Sequence, residues 1–309
     1  GSTPTCSGTL GVDSLPANNV AISGATAWDA LHTSPRTFAG QAASLDQSRY
    51  AVVLPNVQTQ VQAMKAQRPT LVAIELGAGE VLRAATSGLV TVAASYVPKT
   101  AWTLMPASAF APVLDSIADS VAATGARAVF IGVPALMSLP ALRAGDVLWQ
   151  QRVALAAYGV AVDANCQGNT NLLNTVALLP PIADKARVDR TAQALSCADQ
   201  PGVADGILTT ADAALVTQTV TAINAAIRAA AEKRGFAYTD VPLFSSEIPF
   251  AAPAFSAASF FGADQPFGWA TSLDGLRPSA YGHDLMADAV ARALNVKFAW
   301  AIPLPARPK

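Results

Sequence analysis

Histidine is nearly missing from this chain: its 309 residues include two, His32 and His283. Cysteine is almost as sparse, with Cys6, Cys166 and Cys197 and no C-x-x-C pair among them. Zinc centres draw on Cys and His at close spacing, so this scarcity argues against any metal site, and no cofactor is expected. Charge is thin as well. Only 13% of residues are Asp, Glu, Lys or Arg, and the formal net charge is -1. Binding a phosphate backbone needs clustered Lys and Arg, so nucleic acid is excluded as a partner. No uninterrupted apolar run is long enough to span a bilayer, so no transmembrane segment is expected.

What remains is strongly apolar. Hydrophobic residues make up 52% of the chain, and the mean hydropathy of +0.34 comes largely from alanines spread over helical stretches. Such a chain is too apolar to be disordered and long enough for one large domain or two small ones. Gly1 and Ser2 read as a cloning scar, which would put the native N-terminus upstream. Cys166 and Cys197 sit in the polar, turn-rich contexts "DANCQGN" and "LSCADQPG". Two readings stand for them: a disulfide stapling an insertion, or two unpaired thiols. A disulfide would put the protein in an oxidising compartment, secreted or periplasmic.

Short runs dense in branched residues mark the strands. "TLVAIEL" (70–76) and "ARAVFIGVP" (126–134) read as buried strands of a parallel sheet. Between them Phe110, Val113, Leu114, Ile117 and Val121 recur at helical spacing, and Gly125 follows as a stop signal. The clearest helix begins at Thr209 or Thr210, carries Leu215, Val216, Val220, Ile223 and Ile227 on one stripe, and ends before Gly235. "FAYTDV" (236–241) reads as another strand. A last helix starts near Ser279, a good N-cap, with Leu285, Met286, Ala289, Val290 and Ala293 on one face. Strands alternating with helices predict an α/β fold: a three-layer α/β/α sandwich on a mostly parallel sheet. Residues 142–205 break the rhythm and are expected to form an inserted cap. The remaining divisions are an N-terminal arm (1–16), a single domain (17–300) and a tail (301–309). Ligands of such sheets bind beyond the C-terminal ends of the strands. That singles out the turns after Leu76, Pro134 and Val241, and the "SLDGLRPS" loop.

Three stretches in order resemble the SGNH/GDSL family of ester hydrolases. "NNVAISGATAWDAL" (18–31) resembles its second block, "LVAIELGAGEVLRAA" (71–85) its third, and "SLDGLRPSAYGHDLMADAV" (272–290) its fifth. Text around 149–153 and the long helix before "FAYTDVP" also suit a secreted bacterial branch. The resemblance implies a flavodoxin-like sandwich, a Ser–His–Asp catalytic set and an oxyanion hole. It implies a small acyl or ester ligand, with a partner protein as the other candidate. In those terms Gly24 would give its N–H to the oxyanion, and Asp274 stands in the acid position.

The chemistry needs a nucleophilic Ser, a His to take its proton, an Asp to orient the His, and donors for the oxyanion. Three departures follow. The His position holds Arg277, whose guanidinium has no lone pair to accept a proton. The oxyanion Asn position holds Gly79, which has no side-chain donor, and Glu80 replaces the Asp after it. "GVDSLPANN" (11–19) offers Ser14, but it lies only ten residues before Gly24. An ordinary helix alone needs about 11, so the usual helix and strand between nucleophile and second block do not fit. Ser14 therefore reads as a turn serine, with a nucleophile as the alternative. His283 and His32 are the two other bases, each also readable as structural or helix-end histidines. Arg277 itself suits a buried ion pair, with Asp274 near and Glu80 possible, or the binding of a carboxylate, or a structural Arg–Asp pair in place of the family's Asp–His pair. The expected function is a pseudo-hydrolase that binds in an inherited cleft. The alternative is an active carboxylesterase with a displaced Ser/His set. "FSSEIPFAAPAFSAASFFG" (244–262) is expected to be an apolar loop, either lining a mouth or simply packed.

Overall fold

Branched and aromatic side chains build the central strands. "LVAIE" forms the strand Leu71–Glu75 and "RAVFI" the strand Arg127–Ile131 in a computed structural model that describes residues 18–42, 44–54, 57–93, 103–241 and 252–305. The two strands pair in parallel, from Leu71 opposite Arg127 to Glu75 opposite Ile131. The strand Ala237–Thr239 joins the far side of Arg127–Ile131, also in parallel, with Ala237 opposite Val129.

Alternation sends successive side chains to opposite faces. On one face Ile74, Ala128 and Phe130 join a large buried cluster. Its other members include Phe110, Leu114, Ile117 and Val121 of the helix Ala107–Ala122, and Val216, Val220, Ile223 and Ile227 of the helix Thr210–Lys233. Each such side chain, fully buried, contributes about 1.5–3 kcal/mol. On the other face Val129, Ala237 and Ile131 meet Leu294 and Met286 of the helix Ala280–Phe298. Where the sheet ends at Leu71–Glu75, the outward residues are less protected: Leu71 is 38% exposed, and Ala73 and Glu75 are exposed too. Among the described residues no further strand pairs with that edge.

Local chemistry sets the helix ends. The Thr209 hydroxyl accepts from Asp212 N–H, and Asp212 returns the bond to Thr209 N–H. Ser279 accepts from Gly282 N–H at the start of the last helix. Such caps satisfy donors that have no partner inside the helix. At the far end of Thr210–Lys233, Arg234 bridges Asp115 and Asp119 of the neighbouring helix, 2.7 Å from each.

Residues 142–208 carry a second buried cluster of their own, including Leu148, Leu155, Leu173, Leu179 and Leu195. Its strands are short. Leu142–Ala144 and Ile207–Leu208 flank Leu172–Asn174 in antiparallel fashion, while Val160–Val162 pairs in parallel with Gln193–Leu195. Phe255, Ala257, Phe260 and Phe261 pack against this cluster. The expectation of a loop over 244–262 needs correction at its end, because Ala257–Gly262 is a helix, capped by Ser256. Residues 244–251 lie outside the described residues. The chain is thus mixed α/β, with mostly parallel strand pairs.

Candidate functional site

Two of the sequence-matched segments meet at the C-terminal end of Leu71–Glu75. After that strand the chain turns into the short 3-10 helix Ala78–Glu80. Glu80 is 3% exposed, and its Oε1 accepts from the N–H of Ala27 at 2.5 Å. Ala27 opens the helix Ala27–His32, which Thr26 and Asp29 cap reciprocally. A carboxylate suits this place, because the first N–H groups of a helix lack partners and carry partial positive charge. Glu80 therefore links two turns 53 positions apart.

Gly79 sits at the closest approach between these turns. A Cβ there would lie 2.5 Å from the carbonyl oxygen of Ala25 and 3.2 Å from the nitrogen of Thr26. The space that an asparagine side chain would need is filled by backbone. Gly24 is the neighbouring residue, exposed, with φ +77° in the tight turn closed by Ala25 N–H donating to the Ile22 carbonyl.

The 272–279 loop is a self-contained clasp. Ser272 N–H donates to the Arg277 carbonyl, and Thr271 bridges Pro278. Asp274 fills its centre. Oδ1 accepts from the Ser272 hydroxyl at 2.5 Å and from the N–H groups of Leu276 and Arg277 at 2.9 Å each. Oδ2 accepts from Arg277 Nη1 at 2.6 Å. Burial alone would raise this carboxyl; the Ser272 hydroxyl, the two N–H groups and the guanidinium outweigh it and hold the pKa at about 2. Of the readings of Arg277, the structural pair with Asp274 is the one present; it is not buried, since the arginine side chain is 55% exposed. Gly275, at φ +66°, lets the clasp press against Ala141 and Phe267, where a Cβ would come within 2.8 Å of the Ala141 side chain.

Neither imidazole touches a hydroxyl among the described residues. His32 is exposed and packs on Trp28, ring centroids 4.0 Å apart. His283 is the fourth residue of its helix, exposed, its N–H bonded to the Ser279 carbonyl. Ser14 lies outside the described residues, as does Cys6. His283 does have an electrostatic partner that the sequence reading missed, Glu75. This carboxyl lies at the end of its strand, where burial raises its pKa and the charge of His283 opposes the rise. The available signal was a lone charge ending the apolar run "LVAIEL".

Beyond the ends of the other two strands lies a cleft of about 400 Å³, walled by Val133, Leu136, Val216, Val220 and Val241. Asn224 shapes its floor by clamping the backbone of Val133, accepting from its N–H at 2.7 Å and donating to its carbonyl at 2.8 Å. Asp240 stands at one side, held by Arg228 at 2.9 Å and by the hydroxyl of Tyr238. Tyr238 is pushed up to about 12, first by burial and then by that carboxylate.

In the 142–208 region Cys166 and Cys197 form a disulfide, and both are fully buried. Amides surround it: Asn165 accepts from Cys197 N–H at 3.0 Å, and Asn171 donates to the Cys197 carbonyl at 3.0 Å. Among the described residues no group of His, Cys, Asp and Glu could hold a metal ion, and no helix is long and apolar enough to cross a membrane. No protein-family model, curated protein or solved structure matches the chain.

Proposed function

We propose that this chain is an SGNH-type scaffold, a three-layer α/β/α sandwich with 142–205 as an inserted cap, that binds a small acyl or carboxylate ligand without hydrolysing esters. The state of Asp274 carries this reading. A catalytic acid must present a carboxylate oxygen to a histidine. Here both oxygens are occupied within the clasp by Ser272, Leu276 and Arg277. The groups that replace the family's chemistry have structural work instead: Arg277 closes the clasp, Gly79 admits the Ala25 carbonyl, and Glu80 caps a helix. The disulfide supports a secreted or periplasmic location. The test is turnover of short p-nitrophenyl esters. The rate should equal that of buffer, and Ser14→Ala should change nothing. Hydrolysis that disappears in Ser14→Ala would overturn the proposal.

One observation favours a second reading, an active esterase with a displaced set. The charge of His283 acts on the Glu75 carboxyl, as a base would on an orienting acid. That reading predicts hydrolysis abolished by either His283→Ala or Glu75→Gln.

A further inference from the structure

Arginines withdrawn from solvent in this protein meet carboxylates, with one exception among the described residues. Arg234 lies 2.7 Å from Asp115 and Asp119, and Arg49 lies 3.4 Å from Asp46. Arg143 is half-buried, and no carboxylate among the described residues pairs with it. Its Nη2 donates to the carbonyl of Pro253 at 3.2 Å, and its Nε is buried with no acceptor at all. A guanidinium carries five donors in a planar fork. Burying such a charge unpaired is costly, and the cost is relieved by an anion that fits the fork.

The position of Arg143 says where that anion would lie. Just before Leu142–Ala144 the chain turns at Ala141, whose carbonyl accepts from Thr175 N–H at 2.9 Å. Arg143 lies two residues after Ala141, which donates its N–H to the Gly275 carbonyl at 3.1 Å and abuts Gly275 of the Asp274–Arg277 clasp. On the other flank, two residues beyond the gripped Pro253 carbonyl, begins a run of rings. Phe255 lies 5.7 Å from Phe260, and Phe260 lies 5.9 Å from Phe267, centroid to centroid. Pro253 is exposed and Arg143 itself is partly exposed, so the far end of the guanidinium lies near solvent.

We propose that Arg143, rather than Arg277, is the anion anchor of the protein, gripping the carboxylate of an amphipathic ligand whose hydrocarbon part packs on the Phe255–Phe260 wall. The inference rests on the binding reading above and deepens it. Arg277 is unsuited to the task because its guanidinium is already engaged by Asp274 at 2.6 Å, whereas Arg143 has donors left over.

Isothermal titration of the full chain with octanoate and with octanamide tests the assignment, using wild type, Arg143→Met, Arg143→Lys and Arg277→Gln. Octanoate should bind wild type, and octanamide should bind at least about tenfold more weakly, because the charge-assisted bonds are lost. Arg143→Met should lose at least about tenfold, Arg143→Lys should recover part of that, and Arg277→Gln should bind like wild type. Equal binding of octanamide, absence of octanoate binding, or loss in Arg277→Gln instead of Arg143→Met would each overturn the role of Arg143. The thermal midpoint of Arg143→Met distinguishes a ligand anchor from a structural bond. It should equal or exceed that of wild type, and a clear fall would also overturn the proposal. Hydrolysis of p-nitrophenyl octanoate by wild type would instead defeat the non-hydrolytic reading, and is scored separately from octanoate binding.

Discussion

Replacing Asp274 by asparagine removes one negative charge from the centre of the clasp and leaves its shape. Asn keeps an oxygen that can accept from Ser272 and the two N–H groups, but its NH2 then faces the Arg277 guanidinium. A carboxyl held at about 2 rather than 3.8 corresponds to roughly 2 kcal/mol of native-state stabilisation. Arg277 is 55% exposed, so solvent screening lowers the expected loss to about 1 kcal/mol, or about 1–2 °C in Tm for a chain of this length. The pH dependence has a definite sign. A depressed carboxyl contributes stability above its unfolded value, and that contribution disappears as pH falls through the folded value. Urea unfolding of wild type and Asp274→Asn should therefore differ fully at pH 7 and pH 5, by about half as much at pH 3, and hardly at all near pH 2. Equal stability at pH 7, or a gap unchanged at pH 3, would refute the view that the clasp depends on this charge.

Gly79→Ala should destabilise the protein by about 1–3 kcal/mol, read by urea unfolding, because the added methyl meets the Ala25 carbonyl. Gly79→Asn combined with Arg277→His should still give no ester hydrolysis, since the asparagine has no room to face a substrate. Replacing Cys166 and Cys197 together by alanine should lower stability by roughly 3–4 kcal/mol, given a sequence separation of 31. Thermal scans of this variant and of wild type would read the loss. Glu75→Gln should be at least as stable as wild type at neutral pH, with the difference closing in acid. A raised carboxyl contributes stability only at low pH and loses it as pH rises through the folded value.

The central elements were legible because their signals are local. Ile74 and Phe130 sit in branched runs, Thr209 and Ser279 announce helix starts, and the Val216–Val220–Ile223–Ile227 stripe has the helical period. The neighbourhood of Asp274 and Arg277 was also legible, because three positions within one turn must meet. The cysteine pair was readable only to two alternatives, which the fold resolves to a disulfide. What escaped the sequence is what distance along the chain conceals. Nothing in the pattern around Gly79 points to the Ala25 carbonyl, and nothing around Glu80 points to Ala27. Two- and three-residue strands such as Ile207–Leu208 are too short to have a readable period. Arg143 looks like any other surface arginine until its neighbours are known.

The bond from Glu80 to Ala27, together with the contact between Gly79 and Ala25, makes the two turns depend on each other. A side chain can enter position 79 only if the turn before Ala27 withdraws, and that turn is fastened by Glu80 itself. Substitutions at 79 and 80 should therefore be coupled rather than additive.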